Sequence, residues 1–436
     1  MFNSFSWVKS QIIQLRKGDK KIFIYKIKKF LFIILIFIST IIILPIFLII
    51  RLISNFFLIR FGKIPSRRIG HFIIDTNLYI YNLRKNPKNS IDLFCLEKPV
   101  CNKALLKIFK KYLITVPDII MLPLLYLNKI KYLGHNKHNI ILNPYYSGHD
   151  LRTGKEADEK INYFNKNDYE IGNSFLRKLG LKETDKFVCF LCRDEEYYKY
   201  LFNKTYDKDF YFSGDQSKFR NTKIENFRSA CEYLTDNGYY IFRMGQKVSE
   251  PFSINNEKFI DYATLGIRTE FLDIFLAANC EFFLSTGSGL DSISRIFNKP
   301  RVRVSNSRIS LVDTTCKRDL YMPRHHFYKS TNKELTLTEL FDTGLATATK
   351  DLEFQEKKVI TKDNSPEEIK NAVIEMIDLI KNNFEVDEER RIIENKFWTN
   401  FLNKMNNHGL QRLLNGNKFY SHVSINFLKE NNELMR

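Results

Sequence analysis

At 436 residues the chain is too long for one ordinary domain and comfortable for two, and at 44% hydrophobic and 14% aromatic it can fill substantial cores. Its formal charge of +19 is unevenly placed: residues 1–68 carry 13 Lys and Arg against one acid, Asp19, so most of the excess lies at one end. That excess flanks an apolar segment, a membrane-surface pattern, and no nucleic-acid-binding motif accompanies it, which sets nucleic acid aside as a partner.

The apolar segment is FLFIILIFISTIIILPIFLII, Phe30 to Ile50, 21 residues without a charge. It is long enough to cross a bilayer, too long for a signal-peptide core, and has no small-residue cleavage site after it. Eight basic residues precede it and five lie between Arg51 and Arg68, so basic flanks on both sides favour the same membrane face. Pro45 is positioned to break the helix, and a bent anchor in one leaflet is favoured over a span.

Beyond it, residues 56–60 read as a strand, 61–70 as a loop, 71–85 as a helix, 91–97 as a strand and 102–113 as a basic amphipathic helix. A helical stretch follows near 117–130, and the polar residues 135–175 read as a linker or crossing. The second half is more regular. Strands are expected at 186–194, 239–245, 258–263, 282–284 and 301–305, and helices at 222–236, 269–280 and from Leu290. Ser365-Pro366-Glu367-Glu368 is a capping box opening a helix to about Lys381, and a charged helix around 386–404 carries Trp398. The alternation predicts an α/β fold: two Rossmann-like domains facing each other, preceded by the membrane helix. The expected boundaries are a basic segment 1–29, a membrane segment 30–50, Rossmann-like domains 54–175 and 176–382, and a helical segment 383–436.

Seven cysteines are scattered and odd in number. Cys189 and Cys192 sit in FVCFLC, where positions three apart on a strand point to opposite faces, and no second pair completes a metal site. They read as reduced, mostly buried thiols, which fits a cytoplasmic catalytic region.

In parallel sheets ligands bind beyond the carboxyl ends of the strands. Three groups meet that condition: Arg193-Asp194, Arg243 to Gln246, and the strand-to-helix turn Ser285-Thr286-Gly287-Ser288-Gly289. The turn's amides and hydroxyls suit an anion, and glycine admits close approach; the competing reading is an N-capped turn with no ligand.

At this point the chain resembles bacterial GT-B-type glycosyltransferases associated with surface-polysaccharide biosynthesis. The resemblance spans roughly 56–380 and rests on RRIGHF (67–72), CRDEEYY (192–198), KFRNTKIENF (218–227), GYYIFRMG (238–245), IDYA (260–263), TEFLDIFLAANCEFFLSTGSGL (269–290) and DLYMPR (319–324). It implies a nucleotide-sugar donor held by the C-terminal domain, a glycan or lipid-linked acceptor approached from the N-terminal one, and no cofactor. Arg193 stands where fucosyltransferase-like relatives place an arginine against the donor diphosphate, although Cys192 replaces the histidine that usually precedes it. A guanidinium there binds two phosphate oxygens and stabilises the charge that the leaving group gains; the competing reading is a surface ion pair. Arg220 with Asn221 is a second phosphate candidate, and Arg243 lies at a strand exit that can meet a nucleobase or be structural. Ser285, Thr286, Ser288 and Gly289 complete the donor set.

His71 is the candidate general base, since a neutral imidazole can take the acceptor hydroxyl's proton; it can equally cap its helix. Arg67 and Arg68 could serve phosphate or membrane. His325-His326, Asp207-Lys208-Asp209 and His149-Asp150 have no assignable metal-binding partners, and no metal is expected. Because nucleotide sugars are made in the cytoplasm, the implied location is the cytoplasmic face of the inner membrane, with anionic lipid as a further partner. The alternatives are a glycerol- or alditol-phosphate transferase of similar fold and a non-catalytic membrane-bound glycan- or nucleotide-binding protein.

Overall fold

The computed structural model describes residues 20–85, 89–142, 161–205, 217–307, 309–311, 316–410 and 421–435. The first half runs α1 (Lys20–Ile53), β1 (Leu58–Ile64), α2 (Ile69–Lys85), β2 (Ser90–Leu96), α3 (Lys103–Phe109), β3 (Ile114–Thr115), α4 (Asp118–Lys129) and β4 (Asn139–Ile140). The second runs α5 (Lys166–Lys178), β5 (Phe187–Leu191), α6 (Glu196–Thr205), α7 (Arg228–Asp236), β6 (Tyr240–Arg243), β7 (Phe259–Ile260), α8 (Glu270–Asn279), β8 (Phe283–Ser285), α9 (Ser292–Ile296) and β9 (Arg301–Asn306). It continues with β10 (Asp319–Pro323), β11 (His325–Tyr328), α10 (Leu337–Asp342), α11 (Asp351–Glu356), β12 (Val359–Lys362), α12 (Pro366–Lys381), α13 (Glu388–Asn407), β13 (His422–Val423) and α14 (Ile425–Glu430).

The fold is mixed α/β with two parallel sheets. Contacts group the chain into two units that do not follow sequence order: Met1–Pro65, Lys85–Lys98 and Lys110–Leu142 form one, and Ser66–Arg84, Pro99–Phe109 and Asn143–Arg436 the other.

In the first unit four parallel strands are ordered β3-β2-β1-β4. Phe61 of β1 and Cys95 of β2 join Ile43, Phe47 and Ile50 of α1 and Met121, Leu124 and Leu127 of α4 in one apolar cluster. Arg60 and Asp92 form a two-pronged ion pair between neighbouring strands. The sequence places Phe30–Ile50 in a membrane segment; the stretch Phe23–Ile53 of α1 is long and apolar enough to cross a bilayer. The expected break at Pro45 does not occur, because the helix runs through it. An interior proline removes one backbone hydrogen bond, and a helix can absorb that loss without ending.

The second unit is built on seven parallel strands in the order β13-β10-β9-β8-β5-β6-β7. Central strand β5 is buried at every position, as its unbroken apolar sequence requires. Strand order reverses between β5 and β8, where Leu191 pairs with Ser285. Helix α5 begins inside the stretch 135–175 expected to be a linker and runs past its end; a reciprocal cap between Asn165 and Asp168 starts it. Strands β10, β11, β12 and β13 were also not expected. The C-terminal segment is fastened by buried charges: Glu375 accepts from Arg390, Ser424, Ile425 and Asn426, while Glu394 accepts from Arg390 and Val423 and hydrogen-bonds His422.

Helices α2 and α3 belong to this second unit through aromatic packing. Phe72 meets Phe109 edge-on at 5.4 Å, Phe109 meets Tyr163 at 5.6 Å, and Tyr163 meets Phe297 at 5.8 Å. Tyr163 also donates to Asn77, and Asn102 donates to the Glu270 carbonyl.

The capping box read from the sequence is present at α12, where the Ser365 side chain accepts from the Glu368 amide. Glu368 also holds His325, which lies between it and Glu334 at 3.0 and 2.5 Å. Burial alone would lower the His325 pKa, but the two carboxylates outweigh it and raise it from 6.5 to about 9. A histidine whose pKa rises on folding stabilises fully below its unfolded value, and the contribution disappears as pH climbs through the folded value. Chemical denaturation should therefore show a decline on the order of 2–3 kcal/mol between about pH 6.5 and 9. His325→Gln should flatten that slope, and an unchanged slope would show that the pair contributes nothing.

Candidate functional site

In a parallel sheet the reversal of strand order is where ligands bind beyond the strand ends, and two of the three sequence-derived groups flank the β5–β8 reversal. Arg193 follows β5 and the Ser285–Gly289 turn follows β8. They touch directly: the Arg193 amide donates to Thr286 Oγ1 at 3.1 Å. The Arg193 guanidinium is buried, donating to the Ser217 carbonyl and Oγ, each at 3.0 Å, and to Asn221 Oδ1 at 3.2 Å. Arg220 reaches the same turn from the 217–223 segment, donating to the Gly287 carbonyl at 3.1 Å.

A tyrosine that sequence reasoning passed over lies among these cations. The Arg193 guanidinium stands 5.5 Å from the centre of the Tyr198 ring. Burial would raise the Tyr198 phenol pKa, but Arg193, Arg220 and Arg68 overcome it and lower the pKa. Arg193 and Arg220 thus converge on the turn after β8, an environment suited to a phosphate group. Arg68, left between phosphate and membrane by the sequence, is among the charges that lower the Tyr198 pKa.

The turn itself differs from the expectation of free amides awaiting an anion. Gly287 N–H donates to Ser285 Oγ at 2.8 Å, Ser288 N–H to Asp291 at 3.2 Å, and Leu290 N–H to Ser288 Oγ at 3.3 Å. Ser285 Oγ donates in turn to the fully buried Asp291 carboxylate at 2.5 Å. The chain therefore supplies its own anion to this helix start, and Ser288-x-x-Asp291 is a capping box. Gly287 needs its left-handed φ of 76°, whereas the bare Cα of Gly289 serves a close backbone contact. A Cβ on Gly289 would lie 2.7 Å from the Gly70 nitrogen, so the missing side chain makes room for α2.

That contact brings His71 to the turn. His71 occupies the first turn of α2, with its ring one-third exposed and Nδ1 3.8 Å from Asp75, one helical turn on and buried. The arrangement is an accessible imidazole beside an orienting carboxylate.

Arg243 faces inward. It is almost fully buried and donates to the Glu250 carbonyl at 2.7 Å and Asp261 at 3.1 Å, while Asp261 also takes the Phe252 amide. A cavity of about 220 Å³ adjoins it, lined by Cys192, Asp194, Thr222, Ile224, Arg243 and Ser249 among others. Asp194 fixes two loops there, accepting from the amides of Glu196 and Ser249. Cys192 points to the Thr222 carbonyl at 3.0 Å while Cys189 is deep in the sheet, so the two thiols diverge as their spacing requires. Burial raises the thiol pKa of both.

The 217–223 segment carries Ser217, Arg220 and Asn221, and buried Arg324 holds it. Arg324 donates to the carbonyls of Phe219 and Asn221, to Thr222 Oγ1 and to Asp363. Asp351 caps the segment by accepting from the amides of Lys218 and Phe219, and Asp363 accepts from that of Lys223. His326, next to Arg324, is fully buried and its pKa is lowered to about 3, first by burial and then by the arginine, so it stays neutral. Among the described residues no cluster of three His, Cys, Asp or Glu could hold a metal ion. Asp207-Lys208-Asp209 and His149-Asp150 lie outside the described residues.

No protein-family model matches the chain, and no curated protein matches it. Among solved structures it is similar to the E. coli ADP-heptose lipopolysaccharide heptosyltransferase II, with 13% identity and a TM-score of 0.34 over 61% of this chain and 90% of that one. It is similar to E. coli heptosyltransferase WaaC with ADP-2-deoxy-2-fluoro heptose, with 11% identity and a TM-score of 0.27 over 57% and 89%. A third similarity is to S. aureus MnaA in a co-structure with UDP, with 10% identity and a TM-score of 0.27 over 76% and 98%. Overlays this loose assign neither a family nor an activity.

Removing the Arg324 guanidinium while keeping its length tests the segment's attachment. Arg324→Met removes the donor shared by Asp363, Thr222 and two carbonyls, while Asp363 keeps the Lys223 amide and the Phe219 carbonyl keeps Ser307 Oγ, so denaturant unfolding should reveal a loss of about 2–3 kcal/mol. A loss under about 1 kcal/mol would mean that the segment is held by other contacts.

Proposed function

We propose that the chain is a membrane-associated glycosyltransferase of the GT-B type, passing a sugar from a nucleotide-sugar donor to a surface-glycan or lipid-linked acceptor. The observation that carries this reading is the pair Arg193 and Arg220 at the sheet's reversal point, both hydrogen-bonded to the turn after β8. Two parallel sheets, each with strand order reversing beside its first strand, also suit a two-domain nucleotide-sugar enzyme.

The donor's diphosphate lies among the guanidiniums, which stay charged throughout the reaction and stabilise the leaving nucleotide as it gains negative charge. Arg193 and Arg220 make the contact from fixed positions, so little reorganisation is needed when charge develops. Thr286 and Asn221 act by orienting Arg193, while Ser285 and Ser288 set the shape of the turn. The nucleobase enters the cavity between Cys192 and Arg243, with Arg243 shaping its wall through Asp261. His71 takes the proton from the acceptor hydroxyl as that oxygen attacks the anomeric carbon, and Asp75 holds the ring and balances the positive charge it acquires. The catalytic region acts on the cytoplasmic side of the inner membrane, where nucleotide sugars are available.

Product analysis with a panel of nucleotide sugars tests the reading. A free nucleoside diphosphate is the expected product; a nucleoside monophosphate would point to an alditol-phosphate transferase, and binding without turnover to a non-catalytic protein. In the active protein His71→Ala should reduce turnover by about 10²-fold or more with donor affinity little changed. Arg193→Ala should reduce both affinity and turnover, because the phosphates are present before and during transfer. Near-normal turnover of the His71 variant would return that residue to a structural role.

A further inference from the structure

The packing of α1 restricts how it can meet a membrane. A continuous stripe of this helix is buried: Ile36, Ser39, Ile43, Phe47 and Ile50. The stripe lies against α4 within the same unit, and Ser39 Oγ donates to the Ile119 carbonyl in the first turn of α4 at 2.5 Å. Ser39 is close to the midpoint of the charge-free run Phe30–Ile50. Just before Ile119 comes Asp118, ion-paired with Lys98 at 2.5 Å, and the Lys98 side chain is 65% exposed.

A transbilayer α1 would carry this ion pair to the middle of the hydrocarbon, where charge is costly. Only Phe30–Leu35 precedes the stripe without a charge, about 9 Å of helix against the roughly 30 Å hydrocarbon thickness. Away from the stripe the helix is exposed and apolar, including Phe37, Ile41, Ile42 and Leu52. Helix α4 continues that surface with Ile120 and Tyr126, and Tyr132 follows at 87% exposure. Lys28, Lys29, Lys129 and Lys131 are exposed around the same elements. Apolar faces bounded by tyrosine and lysine match the boundary between headgroups and acyl chains, and the lysines match anionic lipid.

We propose that α1 lies in the plane of one leaflet rather than crossing the bilayer, and that α4 is a second membrane-contacting element beside it, the pair docking on an anionic lipid surface. α4 covers the stripe that an in-plane helix would otherwise turn toward water, which is why α1 can be apolar on every side. The inference deepens the membrane association proposed above, but its test reads lipid contact and is independent of whether sugar transfer is detected.

The full chain is reconstituted in phosphatidylcholine–phosphatidylglycerol vesicles with Ile42→Trp or Tyr126→Trp. Tryptophan emission, taken as the difference from the unsubstituted chain, is quenched by lipids brominated either near the headgroup or near the chain end. Both positions should be quenched most by the shallow bromines. Strongest quenching of Ile42→Trp by the deep bromines would show a span and overturn the proposal. Absence of quenching at Ile42 would show that protein, such as a second copy, covers α1, and absence at Tyr126 would remove α4 from the membrane. In addition, Ile120→Glu with Tyr126→Glu should weaken vesicle partitioning by about tenfold while α1 is intact. Unchanged partitioning would contradict a role for α4.

Discussion

The candidate site depends on one buried cation, Arg324, and on what it collects. A guanidinium so deeply placed must find acceptors for its donors or forfeit several kcal/mol, and here the acceptors are two carbonyls, a hydroxyl and a carboxylate around the 217–223 segment. That requirement fixes a stretch with little regular structure of its own. Once fixed, the segment presents Ser217 and Asn221 to Arg193 and aims Arg220 at the turn after β8. Two arginines that would otherwise sample many rotamers are thereby held before any ligand arrives, which lowers the entropic cost of binding.

The second constraint is the pair Gly70 and Gly289. Their close backbone contact joins the start of α2 to the turn, so His71 and the pair Arg193 and Arg220 lie in one unit although more than a hundred residues separate them in sequence. Glycine is needed on both sides: a Cβ on Gly70 would lie 3.0 Å from the Gly289 Cα. The aromatic chain from Phe72 to Phe297 then keeps α2 seated.

Much of the α/β framework was legible because buried parallel strands are unbroken apolar runs and helix starts carry caps. The run before Arg193 and the box at Ser365 both read correctly for those reasons. Arg193 and the turn after β8 were legible because they end strands, and the strand order brings them side by side. Helix α5 was hidden, since its first turn is polar and its cap resembles the loop before it. Strand β10 carries Pro323 and β13 is two residues long, and neither gives a pattern of its own. Tyr198, Asp291 and Arg324 were not legible as site residues because each acts through tertiary contacts. Asp291 could have been found from Ser288-x-x-Asp291, which announces that the turn already has its carboxylate.

The central claim is that a nucleoside diphosphate binds at the reversal between β5 and β8, phosphates on guanidiniums and base in the adjoining cavity. A structure determined with a bound nucleoside diphosphate tests it most directly. The phosphates should lie within hydrogen-bonding distance of Arg193 and Arg220 beside Thr286–Gly289, with the base near Cys192 and Thr222. Phosphates bound elsewhere on the chain, with Arg193 still engaged only by Ser217 and Asn221, would contradict the account.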